Sequence, residues 1–258
     1  MPNFPRTDLA VEAEALRSAA AAAQLPGVRA VQTQRRGFAV TQVEVLDAAG
    51  SDALCKPIGR YDTLDLTPLL RRADDAFENA AQTLSELLRA ALPLMPEASV
   101  LVVGLGNRAI TPDAVGPDAM QSVLVTRHLR AQLPEQFGHF RSVAALTPGV
   151  LGTTGVESAE LVRAMTDRLR PDAVIAVDAL ACAEPDRLGC TVQLTDTGIT
   201  PGSGVGNDRA GLDRAERMFV TPRDIDAVVR DAAKLIGYGI DLALHDGLTV
   251  ADLDLLLS

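Results

Sequence analysis

The sequence contains no tryptophan, and aromatic residues make up only 3% of its 258 positions. A core without large rings must be assembled from Ala, Val and Leu, and hydrophobic residues supply 47% of the chain. No apolar run approaches the roughly 20 residues that span a bilayer, so no membrane-crossing helix is expected. Met1-Pro2-Asn3-Phe4-Pro5-Arg6 is not followed by an apolar segment, so no secretory signal is expected. The three cysteines, Cys55, Cys182 and Cys190, are scattered and form no Cys-x-x-Cys pair. Neither a disulfide framework nor a zinc site follows from them. Basic residues are outnumbered, giving a net charge of −10. That balance argues against direct binding to nucleic acid through its phosphates. There is no internal repeat and no low-complexity linker. The length suffices for one good core plus a modest flap.

The most informative stretch is 99–118, Ser-Val-Leu-Val-Val-Gly-Leu-Gly-Asn-Arg-Ala-Ile-Thr-Pro-Asp-Ala-Val-Gly-Pro-Asp. Val100–Val103 is a continuous apolar run, the pattern of a strand buried on both faces. Gly104-Leu105-Gly106-Asn107 ends it with residues that tolerate unusual backbone angles. Thr111-Pro112-Asp113 then opens a helix expected at about 115–132. Strand, glycine turn and helix form the opening unit of a doubly wound α/β sheet. Ligands of such sheets sit in the crevice past the strands' carboxyl ends, and Asp113 lies at that mouth.

Around this unit the chain reads as follows. An Ala-rich helix is expected at 12–24, stopped by Pro26-Gly27. Residues 29–33, 37–46 and 59–66 read as strands, the second alternating as in a hairpin with one wet face. Residues 48–50 read as a turn. The first 66 residues therefore make an N-terminal segment and β-rich flap within a single domain spanning 1–258. A long helix is expected from Thr67-Pro68 to about Leu92. Strands at 142–146 and 173–177 follow, with a glycine- and threonine-rich loop at 147–155 and a helix at 156–169. Residues 190–194 read as a fourth strand, at an edge. A polar glycine loop occupies 195–207, and Thr221-Pro222 caps a last amphipathic helix to about Leu244. The apolar tail 248–257 is expected to pack.

Asp113 and Asp178 both fall at strand carboxyl ends, which share one edge of a parallel sheet. On neighbouring strands their carboxyls would stand roughly 5–10 Å apart. Paired carboxylates in a partly buried cleft have their ionisations pushed apart, so that one stays protonated while the other acts as base on a water molecule. The same two residues also suit a plain helix start and a plain turn. Other motifs are absent. The glycines of 104–106 lack the third member of a dinucleotide fingerprint. No Walker lysine follows the Gly198–Asn207 loop, and Ser203 is not in a Gly-x-Ser-x-Gly elbow. His128, His139 and His245 show no metal-ligand spacing. Asp196-Thr197-Gly198 matches retroviral-type aspartic peptidases over too few residues to carry weight.

Longer motifs carry a resemblance over nearly the whole chain. They are Arg6-Thr7-Asp8-Leu9-Ala10-Val11-Glu12, Gly104-Leu105-Gly106-Asn107, Thr111-Pro112-Asp113-Ala114 with Gly116-Pro117, and Leu124-Val125-Thr126-Arg127-His128-Leu129. Further ones are Pro148-Gly149-Val150 with Gly152 and Thr154-Gly155, Val177-Asp178-Ala179-Leu180-Ala181, Asp196-Thr197-Gly198-Ile199, Pro201–Asn207, and Val220-Thr221-Pro222 with Asp224-Ile225-Asp226. In these the chain resembles the germination proteases of spore-forming bacteria. The resemblance implies a fold similar to the hydrogenase-maturation peptidases, a homotetramer, and a zymogen activated by loss of a short N-terminal propeptide. It implies an atypical aspartic endopeptidase of the spore core cytoplasm, without cofactor or metal. Asp113 and Asp178 would be its catalytic pair, and small acid-soluble spore proteins its substrates, contacted as protein and not through DNA. Gly104, Asn107, Thr154, Asp196, Ser203, Gly204 and Asn207 are expected to bind substrate or support the site. One departure from the resemblance stands out: after Asn207 the chain passes through a charged stretch directly to Met218, and one βα unit of the family is expected to be missing there.

Overall fold

The computed structural model describes residues 7–21, 25–180, 189–199 and 225–257. In chain order the elements are α1 (Ala10–Ala21), β1 (Val28–Arg35), β2 (Phe38–Val45), α2 (Ala48–Leu54), β3 (Gly59–Asp65), α3 (Thr67–Leu70), α4 (Ala76–Ala91) and β4 (Val100–Gly104). There follow α5 (Val115–Ala119), α6 (Arg127–Gln132), α7 (Pro134–Phe137), β5 (Val143–Leu146), α8 (Leu151–Thr154), α9 (Ser158–Leu169), β6 (Ala173–Val177), β7 (Thr191–Thr195), α10 (Ile225–Leu244) and α11 (Val250–Leu256).

Three strands form a parallel sheet in the order β5-β4-β6. Central β4 is buried along its whole length, as its unbroken apolar sequence requires. Val100 and Val102 pack with Met120, Val123, Ile240 and Leu244 on one face. Leu101 and Val103 meet Val162, Met165 and Leu169 of α9 on the other. The sheet is therefore covered by helices on both sides, as expected.

Four strands form a separate antiparallel sheet, β1-β2-β3-β7. The strand expected at the edge of the parallel sheet, β7, instead closes this flap sheet against β3, with Leu64 opposite Val192. Hairpin β2 also departs from the one-wet-face reading. Phe38 and Val40 pack on one face with Leu84, Leu235 and Tyr238. Val43 and Val45 pack on the other with Ala10, Ala13 and Leu54. Helices cover opposite faces at opposite ends of the strand, so both parities carry core residues.

One turn expectation and two helix expectations are corrected. Residues 48–50 begin α2, because the Asp47 carboxylate caps it by accepting the Gly50 N–H at 2.9 Å. The expected 67–92 helix breaks into α3 and α4, since Arg72 and Asp75 both adopt left-handed backbone angles. The expected 115–132 helix ends at Ala119, passes through a 3₁₀ turn at Met120–Ser122, and resumes only at α6. Competing hydrogen bonds explain this last break. The Asp241 carboxylate of α10, fully buried, accepts the Leu124 N–H at 3.0 and 2.9 Å. The Thr126 N–H donates to the Val143 carbonyl at 3.1 Å. Both amides are thus satisfied outside a helix. The tail packs as expected, through buried Leu253. The expected Thr221-Pro222 cap lies outside the described residues.

The Asp241 contact is testable by unfolding. Asp241→Ala leaves the Leu124 N–H buried without its acceptor and should destabilise the protein by about 1–3 kcal/mol. Burial already pushes the Asp241 carboxyl well above its usual range. Asp241→Asn keeps an oxygen acceptor and should stay close to wild type in urea unfolding at neutral pH. Equal losses in both variants would remove this account of the helix break.

Candidate active site

The site is built where β4 and β6 end. Beyond Gly104, the Leu105 N–H still donates to the Val177 carbonyl at 2.8 Å, prolonging the β4–β6 pairing. Gly106 then turns the chain with φ +117°, and a β-carbon there would stand 2.1 Å from the Asp113 carbonyl oxygen. The Asn107 N–H donates to Asp113 Oδ2 at 2.7 Å, and the Asp113 N–H donates to the Ile110 carbonyl at 2.8 Å. The segment 104–113 is a closed loop that returns Asp113 to the mouth of its own strand.

Gly116 sets the depth of that return. A β-carbon there would stand 2.2 Å from the Leu105 carbonyl oxygen and 2.6 Å from that of Val177. Only a glycine lets the start of α5 sit on the ends of both strands. The next residue after Val177 is Asp178, whose Oδ1 accepts the Ala179 N–H at 2.9 Å. Asp113, three residues before Gly116, and Asp178 are thereby brought to one rim.

Their electrostatics follow from that placement. Burial raises the Asp113 carboxyl above its ordinary value, against the Asn107 N–H, which favours the carboxylate. Asp178 is pushed up to about 6, first by burial and then by the negative charges of Asp113 and Asp8. The Ala179 N–H opposes this shift. Both carboxyls therefore hold a proton to higher pH than a free side chain does, Asp178 up to about 6.

Asp8 is a member of this charge group that reasoning from spacing missed; only the N-terminal motif marked it. Its segment is fixed to the flap sheet. Lys56 Nζ donates to the Asp8 carbonyl at 2.7 Å, and Gln193 of β7 donates to the same oxygen at 3.3 Å. Gln193 Oε1 accepts the Ala10 N–H at 2.8 Å. Buried Glu12 accepts a hydrogen bond from the Thr7 hydroxyl.

The other expected site residues divide. Gly104 lies at the strand end beneath Gly116, and Asn107 touches Asp113, so both belong to the rim. Beside them opens a cavity of about 440 Å³, lined by Gly106, Asn107, Pro117, Met120 and Val150 among others. Thr154 ends α8, and its hydroxyl serves the local backbone, donating to the Val156 carbonyl at 2.9 Å. Asp196 follows β7, and its Oδ1 accepts the Arg60 N–H at 2.9 Å on the flap sheet. Ser203, Gly204 and Asn207 lie outside the described residues, as does Cys182. His128 and His139 are exposed, whereas His245 is buried edge-on against Phe140. Among the described residues, no three His, Cys, Asp or Glu side chains converge to hold a metal ion.

An α/β protein with two partly buried acidic side chains at the carboxyl rim of its parallel sheet is the class that this geometry defines. Comparison with known proteins makes the assignment specific, because the germination protease family model matches residues 6–217. The germination protease of Caldanaerobacter subterraneus subsp. tengcongensis is 34% identical over 319 aligned positions, covering 98% of each chain. That of Clostridium tetani is 38% identical over 251 positions, covering 96% of this chain and 77% of its own. That of Bacillus cereus strain ATCC 10987 is 41% identical over 219 positions, covering 81% and 58%. This chain belongs to the germination protease family, and membership makes it a peptidase of spore germination. No helix among the described residues is long and apolar enough to cross a membrane.

Gly116→Ala tests the placement of the pair. The added methyl meets two backbone oxygens that no rotamer change can move aside. A loss of about 1–3 kcal/mol in stability is expected, with a larger proportional loss of peptidase activity. Wild-type activity in this variant would show that the close approach does not govern the site.

Proposed function

We propose that this chain is an endopeptidase that cleaves small acid-soluble spore proteins with Asp113 and Asp178 as an acid–base pair. The observation that carries this reading is the pair itself: adjacent strand ends, partial burial, and an Asp178 carboxyl shifted up to about 6 with Asp113 among the causes. Ionised Asp113 takes a proton from water as the water oxygen bonds to the peptide carbonyl carbon. Asp178 gives its proton to the amide nitrogen as the carbon–nitrogen bond breaks. The products are a carboxylic acid and an amine, and the pair is reset by proton exchange with solvent.

The remaining parts of the reading rest on the family. They are a single domain related in fold to the hydrogenase-maturation peptidases, a homotetramer, a location in the spore core cytoplasm, and a zymogen shortened at its N-terminus. The charge of Asp8 at Asp178 supports the last of these, since it brings the N-terminal segment to the proposed catalytic pair. A second reading, a relative that binds the substrate without cutting it, draws on one observation. The 319-position alignment is longer than this chain, so that relative carries stretches with no counterpart here.

Incubation of the purified protein with a small acid-soluble spore protein separates the two readings. Asp113→Asn and Asp178→Asn should each lower cleavage by about 100-fold or more with the fold retained. Binding without cut products in the wild type would favour the second reading, and undiminished cleavage in the variants would remove the aspartate assignment.

The pH dependence has a definite sign. Activity should fall as pH rises above about 6, where Asp178 loses its proton, and fall again in acid as Asp113 gains one. Stability follows the same group. An unfolded Asp ionises near about 4, so between there and about 6 the unfolded state releases its proton first, and rising pH costs the native state stability. Asp178→Asn should therefore melt above wild type at pH 7.5 and level with it below pH about 4. A lower melting temperature at pH 7.5 would contradict the burial of an ionised Asp178.

A further inference from the structure

Asn107 is held at the rim by two backbone hydrogen bonds and one side-chain hydrogen bond. Its N–H is held by Asp113 Oδ2 at 2.7 Å, and its carbonyl accepts the Ile110 N–H at 3.0 Å. Its side-chain oxygen accepts the Ala109 N–H at 3.0 Å. Because the Ala109 group is a donor, the arm of the amide facing it must be Oδ1, and the other arm is the NH₂. That NH₂ donates to no group among the described residues. Asn107 also lines the 440 Å³ cavity, and its backbone N–H ties that wall to Asp113. The residue therefore combines a fixed backbone, a fixed amide orientation and two unused donors at the wall of a cleft.

We infer that the Asn107 side-chain amide is the donor that holds the scissile carbonyl oxygen and stabilises its negative charge as water adds. The inference rests on the two-aspartate reading, in which neither aspartate protonates the carbonyl oxygen. Asp113 takes the proton of the attacking water, and Asp178 supplies the amide nitrogen. The carbonyl oxygen becomes an oxyanion when its π bond opens and returns that electron pair when the carbon–nitrogen bond breaks, so it needs a donor that does not transfer its proton. A neutral amide beside a carboxylate fits. It supplies hydrogen bonds without adding a cation that would lower the Asp178 pKa or a further anion that would raise it. Preorganisation is supplied by the 107–113 loop, which fixes the donor relative to the base through a single hydrogen bond. The peptide then lies over the rim with its carbonyl directed toward the cavity wall formed by Asn107.

Two substitutions separate this role from a merely local one. Asn107→Asp keeps the oxygen that accepts the Ala109 N–H but removes the NH₂, whereas Asn107→Ala removes both. Cleavage of a purified small acid-soluble spore protein is measured for each from pH 4 to 8, with circular dichroism and thermal melting to establish folding. Both variants should lose about 100-fold or more in kcat at their best pH, with KM changed by less than about threefold. If Asn107→Asp keeps wild-type kcat at its optimum, the side chain serves only the turn and the inference fails. If KM rises while kcat holds, Asn107 binds the ground state, and the transition-state role fails equally. Asp113→Asn and Asp178→Asn run alongside. Should they cleave as wild type does, the aspartate reading falls and takes this inference with it. Should they be inactive while Asn107→Asp is active, the inference alone falls.

Discussion

The contact between Gly116 and the backbone of Leu105 and Val177 is the constraint on which the rest of the rim depends. It seats the first turn of α5 on two strand ends at once. Strand spacing alone would leave the Asp113 loop free to rise away from the sheet. The Gly116 contact fixes its depth, and the hydrogen bond from Asn107 to Asp113 fixes its direction. Hydrophobic packing does the coarse work here. Val100 and Val102 hold β4 against Met120 and Val123, the residues that follow α5. Packing of that kind places elements to within a side chain's breadth. The short glycine contact places two carboxyls more finely.

That placement has an electrostatic cost built into the native state. Asp178 sits where its charged form is poorly solvated and meets two other negative charges. The same features that keep it protonated near pH 6 oppose folding at higher pH. Strong burial would push the group out of useful range, as it does for Asp241, whose role is to hold Leu124. Full exposure would leave an ordinary surface carboxylate. Asp178 falls between, because it follows the last residue of β6 and its Oδ1 still receives one backbone N–H.

Much of this was legible in the sequence, and the reasons differ by element. The all-apolar β4 run has one reading, a doubly buried strand, and the Gly-Leu-Gly-Asn turn marks its end. Asp113 and Asp178 could be paired because parallel strands put equivalent ends on one edge. The break in the expected 115–132 helix leaves no local mark, because Asp241, more than a hundred residues later, accepts the Leu124 N–H. The alternation of β2 is ambiguous for a related reason. Its pattern follows from helices on both faces, and periodicity within one strand cannot report that. Strand β7 carries no mark of which sheet it joins, since its partner β3 lies far back in the chain. Tertiary hydrogen bonds and packing override local preference in each of these cases.

Helix α10 connects these matters, because it belongs to both cores. Leu235, Tyr238 and Leu242 pack with the flap sheet, while Ala233, Ile240 and Leu244 pack with the parallel sheet. The N-terminal segment is tied to the flap by Lys56 and Gln193, yet the charge of Asp8 acts on Asp178 of the other sheet. That electrostatic contact exists only while α10 and its neighbours hold the two sheets in register. A rim assembled from one sheet alone would contain Asp113, Asp178 and Asn107 but would lose the third negative charge. The acidity of Asp178 is thus set in part by an element that the parallel sheet does not contain. The flap belongs to the physical definition of the site, although none of its strands supplies either aspartate.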